Sequence, residues 1–176
     1  MAATRAWRAF VVLAAGLVLV TAGCDSSSGN EATPTKEPVK LFVPCDGISD
    51  DAVRAAGADP ATEQKDIAGV HQTGFEICSW RAPWYFVNVY STVNTVGEVQ
   101  NNPDNARFRD VDVSGRKAIE YHKVTDQRVE GCELAFEAKQ GAILVTVDKM
   151  STQPNPEDPC VTVARAAGAI LADLPN

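Results

Sequence analysis

The chain has 176 residues, of which 45% are hydrophobic and 22% are charged, and its formal net charge is −7. These proportions are typical of a globular protein and exclude disordered, collagen-like and coiled-coil chains. The excess of acidic residues argues against binding to nucleic-acid phosphates, which requires a basic surface, so nucleic acid is not an expected partner.

The first 23 residues have the pattern of an export signal. Arg5 and Arg8 precede an uncharged apolar run at 10–22, which is the order found in secretory signal peptides. The run of thirteen residues is shorter than the about 20 that a membrane-spanning helix needs. We therefore predict a signal peptide at 1–23, and a permanent transmembrane segment is the weaker interpretation.

A cysteine in a distinctive context follows the signal. The segment Thr21-Ala22-Gly23-Cys24 resembles the bacterial lipobox, although Thr21 stands where that motif prefers leucine. A lipobox cysteine carries diacylglycerol on its sulfur, and two acyl chains, palmitate among them, anchor a protein durably where one chain is marginal. We predict a lipid anchor at Cys24 on the outer face of the cell membrane. The alternative is a secreted chain with a free Cys24.

Removal of residues 1–23 would take away two arginines and no acid, so the net charge would change from −7 to −9. A chain this acidic is repelled by anionic headgroups, so the lipid would have to hold it at the membrane. Residues 24–40 combine the lipidated cysteine with a Ser-, Gly- and Pro-containing stretch too poor in apolar side chains to fold. We predict a flexible linker there and a single folded domain at 41–176.

The folded region predicts an α+β fold. Ser49 before two acids, with Ile48 and Val53 as a hydrophobic staple, predicts a short helix that Gly57 ends. A polar loop is expected at 59–73, and residues 93–102 are ambiguous, with one short helix as an interpretation. Strands are predicted at 75–81, 84–92, 108–113, 116–124, 128–139 and 142–149, the last four forming an antiparallel meander.

A second helix is predicted at the C-terminus. It would open at Asp158-Pro159-Cys160 and end at Pro175, with apolar residues at helical spacing between them. The N-terminal and C-terminal helices would cover one face of the sheet. Alternation of apolar residues with Glu120, His122, Glu133 and Glu137 predicts that the other face meets solvent.

Four cysteines remain after Cys24, and an even number in an exported chain indicates two disulfides. Three pairings are possible. We favour Cys45 with Cys78 and Cys132 with Cys160, because each pair would join the start of a helix to a strand. A zinc site is the competing interpretation, but the chain contains no Cys-x-x-Cys pair.

These residues together resemble the actinobacterial cell-envelope lipoprotein family whose shared domain has no known function. The matching features are Pro44-Cys45, Cys78-Ser79-Trp80, the strand start at 115–118, Cys132, Pro159-Cys160 and Leu174-Pro175. The resemblance implies a cell-envelope lipoprotein with paired disulfides. It implies no catalytic residue.

Candidate sites are few. A mixed site of His122 with Glu120, Glu133 or Glu137 would need these side chains to converge on the solvated sheet face, which more simply keeps the protein soluble. Trp84, Phe86 and Tyr90 would share one face of a strand that is apolar on both sides. Such a surface is either core or a groove for an apolar small ligand or an envelope protein.

We therefore expect a membrane-anchored, exported lipoprotein with a non-catalytic binding or interaction domain, no cofactor and no metal. The alternative is an enzyme that acts on cell-envelope material through the acidic sheet face, with Glu133 and His122 as its candidate residues.

Overall fold

A computed structural model of the chain describes residues 39–154 and 156–176. The predicted signal peptide at 1–23, Cys24 and nearly all of the predicted linker lie outside these residues. Every described residue belongs to one structural unit, 37–176.

A seven-stranded antiparallel sheet forms the centre of the domain, with the strand order β1-β2-β3-β7-β6-β5-β4. The strands are β1 (Asp59–Lys65), β2 (Phe75–Arg81), β3 (Tyr85–Thr92), β4 (Asn105–Val113), β5 (Arg116–Lys123), β6 (Gly131–Ala138) and β7 (Gly141–Lys149). The predicted antiparallel meander is confirmed as β4 to β7. Pairing of β3 with β7 joins this meander to β1–β3.

The prediction of a polar loop at 59–73 was wrong, because β1 occupies the first half of this segment. This strand pairs only with β2 and lies at the edge of the sheet, so most of its side chains meet solvent and its sequence lacks apolar alternation. Pro60 is compatible with an edge position, since an edge strand leaves one row of backbone groups unpaired.

The two predicted helices cover one face of the sheet: they are α2 (Asp50–Ala55) and α4 (Pro159–Ile170), the latter followed by a 3-10 turn. A further short helix, α1 (Pro44–Gly47), which was not predicted, lies on the same face. The Ser49 hydroxyl caps α2 by accepting from the Ala52 amide at 3.3 Å. It also donates to the Asp173 carboxylate at 2.9 Å, which ties the N-terminal helices to the C-terminal segment. Gly57 ends the helical region with a φ of +87°.

Both predicted disulfides are confirmed. Cys45–Cys78 joins α1 to β2 with a Cα–Cα distance of 5.2 Å, and Cys132–Cys160 joins β6 to the first turn of α4 with a distance of 5.0 Å. Each bridge therefore attaches a helix to the same face of the sheet, and they enclose the main hydrophobic core, in which Trp80 is buried.

The opposite face carries a fourth helix, α3 (Val96–Asn101). Thr95 and Glu98 form a reciprocal capping box that starts it, and Val96 and Val99 are buried against the sheet. The expectation of a solvated face was wrong for three of the four residues on which it rested. Glu133, 4% exposed, lies on the face that carries α3, whereas Glu120, 7% exposed, and His122, 8% exposed, lie on the face that α4 covers. Only Glu137 is exposed as expected.

Candidate functional site

A cavity of about 470 Å³ lies between α3 and the sheet. Its floor comes from β2, β3, β7 and β6, and its side wall from α3 and the segments on either side of it. The volume falls within the range of about 300–1,000 Å³ that is typical of small-molecule sites. The cavity is therefore large enough to enclose a small organic ligand.

The strand register explains why these side chains meet. Tyr90 on β3 pairs with Leu144 on β7, and Thr146 on β7 pairs with Glu133 on β6. Alternate residues of a strand point to the same face, so Asp148 follows Thr146 on the cavity side. Three neighbouring strands thus bring an aromatic ring, an aliphatic side chain and two carboxylates to one floor.

Glu133 is the most unusual of these residues. It is 4% exposed, and its Oε2 atom has no hydrogen-bond partner among the described residues. Burial raises the pKa of this carboxyl to about 7; Lys123 opposes the rise, and Asp148 and Asp126 add to it. A buried carboxylate oxygen without a donor costs free energy, so this oxygen is free to accept a hydrogen bond from a group outside the described residues.

Asp148 differs from Glu133 because its carboxylate has donors, although burial raises the pKa of both carboxyls. Asn88 donates to its Oδ2 at 2.8 Å, and the Thr146 hydroxyl donates to the same oxygen at 3.1 Å. Tyr90 lies on this side too, where burial and the negative charge of Asp148 raise the pKa of the phenol to about 12. Tyr90 therefore stays neutral at physiological pH and keeps its hydroxyl hydrogen.

Lys123 is the cation on the cavity wall. Its Nζ donates to Asn105 Oδ1 at 2.7 Å and lies 5.3 Å from the ring centre of Tyr121. Within the part of the chain that the structure describes, it makes no ion pair with Glu133. The ammonium is thus occupied at the rim and leaves the Glu133 oxygen without a donor.

A second, more polar recess of about 530 Å³ adjoins the cavity and shares Lys123, Glu133 and Asp148 with it. Its loop is fixed by Asp126, whose carboxylate accepts from the backbone amides of Glu130 at 3.0 Å and Gly131 at 2.9 Å. Glu133 consequently lies where the cavity and the more polar recess meet.

The structure separates the three aromatic residues that were expected to share one surface. Tyr90 lines the cavity, and Phe86, 38% exposed, lies further along β3 on the same face. Trp84 precedes the strand, in the turn after Pro83, and packs against the main core with its ring 4.7 Å from that of Tyr85. Because the chain turns at Trp84, the two-residue period of the strand does not extend to it.

The predicted grouping of His122 with acids is also divided. Glu120 and His122 face α4, where Arg109 donates to Glu120 at 2.7 Å and the His122 Nε2 atom lies 3.4 Å from Cys160 Sγ. Glu133 and Glu137 lie on the opposite face. The expected convergence of these residues on one acidic face was therefore wrong.

Sequence comparison assigns the chain to a family. The profile of DUF3558, described as protein of unknown function, matches residues 19–173. The chain belongs to the DUF3558 family. No curated protein and no solved structure matches this DUF3558 chain. Within residues 39–154 and 156–176, no helix is both long enough and apolar enough to cross a membrane.

Several residues of the site were not anticipated from the DUF3558 sequence: Phe75, Val99, Lys123, Leu144, Thr146 and Asp148. One signal could have pointed to two of the acids. Glu133 and Asp148 each lie in a strand that is rich in apolar residues, and a charged residue that becomes buried in such a strand needs a partner.

Proposed function

We propose that this DUF3558 protein is an exported lipoprotein whose domain binds a small ligand in the cavity beneath α3 without transforming it. The anchoring half of the proposal comes from the sequence. Thr21-Ala22-Gly23-Cys24 follows a charged and then apolar segment, and the family match includes this motif. Diacylglycerol on Cys24 would hold the domain at the outer face of the cell membrane, where an acidic surface alone would not.

One observation carries the binding half of the proposal: a buried carboxylate oxygen without a partner, on Glu133, at the edge of a cavity of about 470 Å³. An apolar cavity with a few convergent polar groups is the usual form of a small-molecule site. Tyr90 and Leu144 supply apolar area, and Glu133 supplies a directional acceptor. A ligand that donates to Glu133 would remove the cost of leaving it unpaired.

Native mass spectrometry of the full chain, produced with its export signal and purified from the membrane of an exporting host, tests the binding role. We expect a non-covalent adduct that disappears on denaturation. The adduct should be lost in Tyr90→Ala, which removes a ring from the cavity, and retained in Phe86→Ala, which removes an exposed ring from the same strand and face. A bare protein mass, or equal adducts in both variants, would contradict the cavity as the site and favour an envelope-protein partner.

The anchor is tested separately. Cells that express the wild type should incorporate labelled fatty acid into the protein and retain it in the membrane fraction. Cys24→Ala should lose both properties, because no other residue of a lipobox forms the thioether. Persistent labelling of the variant would contradict the assignment of Cys24.

A further inference from the structure

The geometry points to an organic cation as the ligand of this cavity: an ammonium group that donates to Glu133, with an apolar body against Tyr90 and Leu144. This inference rests on the proposed function and specifies the chemistry of the occupant. It covers primary and substituted amines of a size that fits about 470 Å³.

The lining of the cavity carries more acids than bases. Three acids, Glu98, Glu133 and Asp148, line the cavity against the single cation Lys123. Glu98 is engaged with the start of α3, where it accepts from the Thr95 amide at 2.7 Å, and Asp148 has its donors from Asn88 and Thr146. Glu133 alone combines burial with an unpartnered oxygen. A charged N–H donor makes a stronger hydrogen bond to such an oxygen than a neutral one does.

The walls favour an organic cation over a metal ion. Phe75 and Tyr90 present aromatic rings to the cavity, and ammonium groups are attracted to the faces of such rings. A divalent cation would instead need several oxygen ligands around one point. In the described portion of the chain, the groups of side chains close enough to share a metal ion lie at the two disulfides, and neither group includes Glu133 or Asp148.

Binding of a cation would be linked to protons. The charged and titratable groups around Glu133 are Lys123 and Tyr121 on β5, Asp148 on β7, Tyr90 on β3 and Asp126 in the loop before β6, with Glu98 on α3 across the cavity. Both tyrosines have raised pKa values, so they do not change charge between pH 6 and 8. An ammonium group binds more tightly to ionised Glu133 than to the neutral carboxyl. The affinity of the protein for an ammonium ligand should therefore rise by about tenfold from pH 6 to pH 8.

Three probes of similar size and different charge test the inference: hexylammonium, hexanol and hexanoate. Each is titrated into the full-length protein at pH 6, 7 and 8, and the amide signals of Leu144 and Thr146 are followed by NMR. We expect hexylammonium to bind at least tenfold more tightly than the other two at pH 8. Glu133→Gln should remove this preference and its pH dependence while leaving the affinity for hexanol unchanged.

Glu137→Gln is the matched control, because it makes the same substitution at an exposed position on the same strand and face. It should leave the preference intact. If hexanol or hexanoate binds as tightly as hexylammonium, and Tyr90→Ala abolishes that binding, the ligand need not be a cation and the cavity remains the site. If none of the three probes shifts the Leu144 and Thr146 signals at millimolar concentration, both the cation and the proposed site are wrong.

Discussion

The unpartnered carboxyl of Glu133 should make the stability of this protein depend on pH in an unusual direction. Its pKa is about 7 in the folded state against 4.5 for an ordinary glutamate. The folded state therefore binds more protons than the unfolded state between these values. The contribution of Glu133 to the free energy of unfolding is fully present below pH 4.5 and is lost as the pH rises to about 7. The difference in pKa corresponds to about 3 kcal/mol.

Glu133→Gln keeps the shape of the side chain and removes the titration. We expect the variant to be about as stable as the wild type at pH 5 and up to about 3 kcal/mol more stable at pH 8, because the wild type must then bury a charge. Urea unfolding with the disulfides intact, measured at half-unit steps from pH 5 to 8, gives both curves. For a domain of this size such a gain raises Tm by about 6–12 °C.

Glu137→Gln provides the reference for this experiment. Its side chain is exposed on the same strand, so the substitution should shift the whole curve by no more than about 0.5 kcal/mol and leave its slope unchanged. Parallel curves for the wild type and Glu133→Gln would show that the pKa of Glu133 is not raised in solution. They would mean that Glu133 finds a donor there, and Lys123, which lines the same cavity, is the candidate.

Three further predictions concern the fold. Replacement of both Cys45 and Cys78 by serine should lower the free energy of unfolding by about 3–4 kcal/mol in urea, because their bridge closes a loop of 33 residues. Trp84→Ala should cost about 2 kcal/mol by the same measurement and leave the native-mass adduct in place, since Trp84 packs on the main core rather than in the cavity. Gly141→Ala should lower the free energy of unfolding by more than about 2 kcal/mol, because φ is +142° and an added Cβ would press on the backbone at the end of β3. Gly115→Ala is the control: its φ is +89°, but an added Cβ would meet open space, so the loss in the same assay should be smaller.

Most of the fold could be predicted because local signals and long-range constraints agreed. The capping residue Ser49, the turn signals between strands and the apolar spacing of α4 each specify an element from a few neighbouring residues. The disulfide pairing followed because Cys45 and Cys160 both lie at helix starts. The strand β1 was missed because an edge strand exposed to solvent needs no apolar alternation, so its sequence is indistinguishable from that of a polar loop.

The site could be predicted less well, because alternation tells which residues share a face and not what covers that face. Glu133 was expected in solvent, yet α3 lies over its side of the sheet. The chain passes through α3 on its way from β3 to β4, which lies at the far edge of the sheet from β1, so this connection crosses β7, β6 and β5 and leads away from β2. The helix packs on Tyr121 and Ala135, and the cavity opens between it and Tyr90 on β3 and Phe75 on β2. The path of one long-range connection therefore determines where Glu133 and Tyr90 can meet a ligand, and alternation along the strands carries no signal for that path.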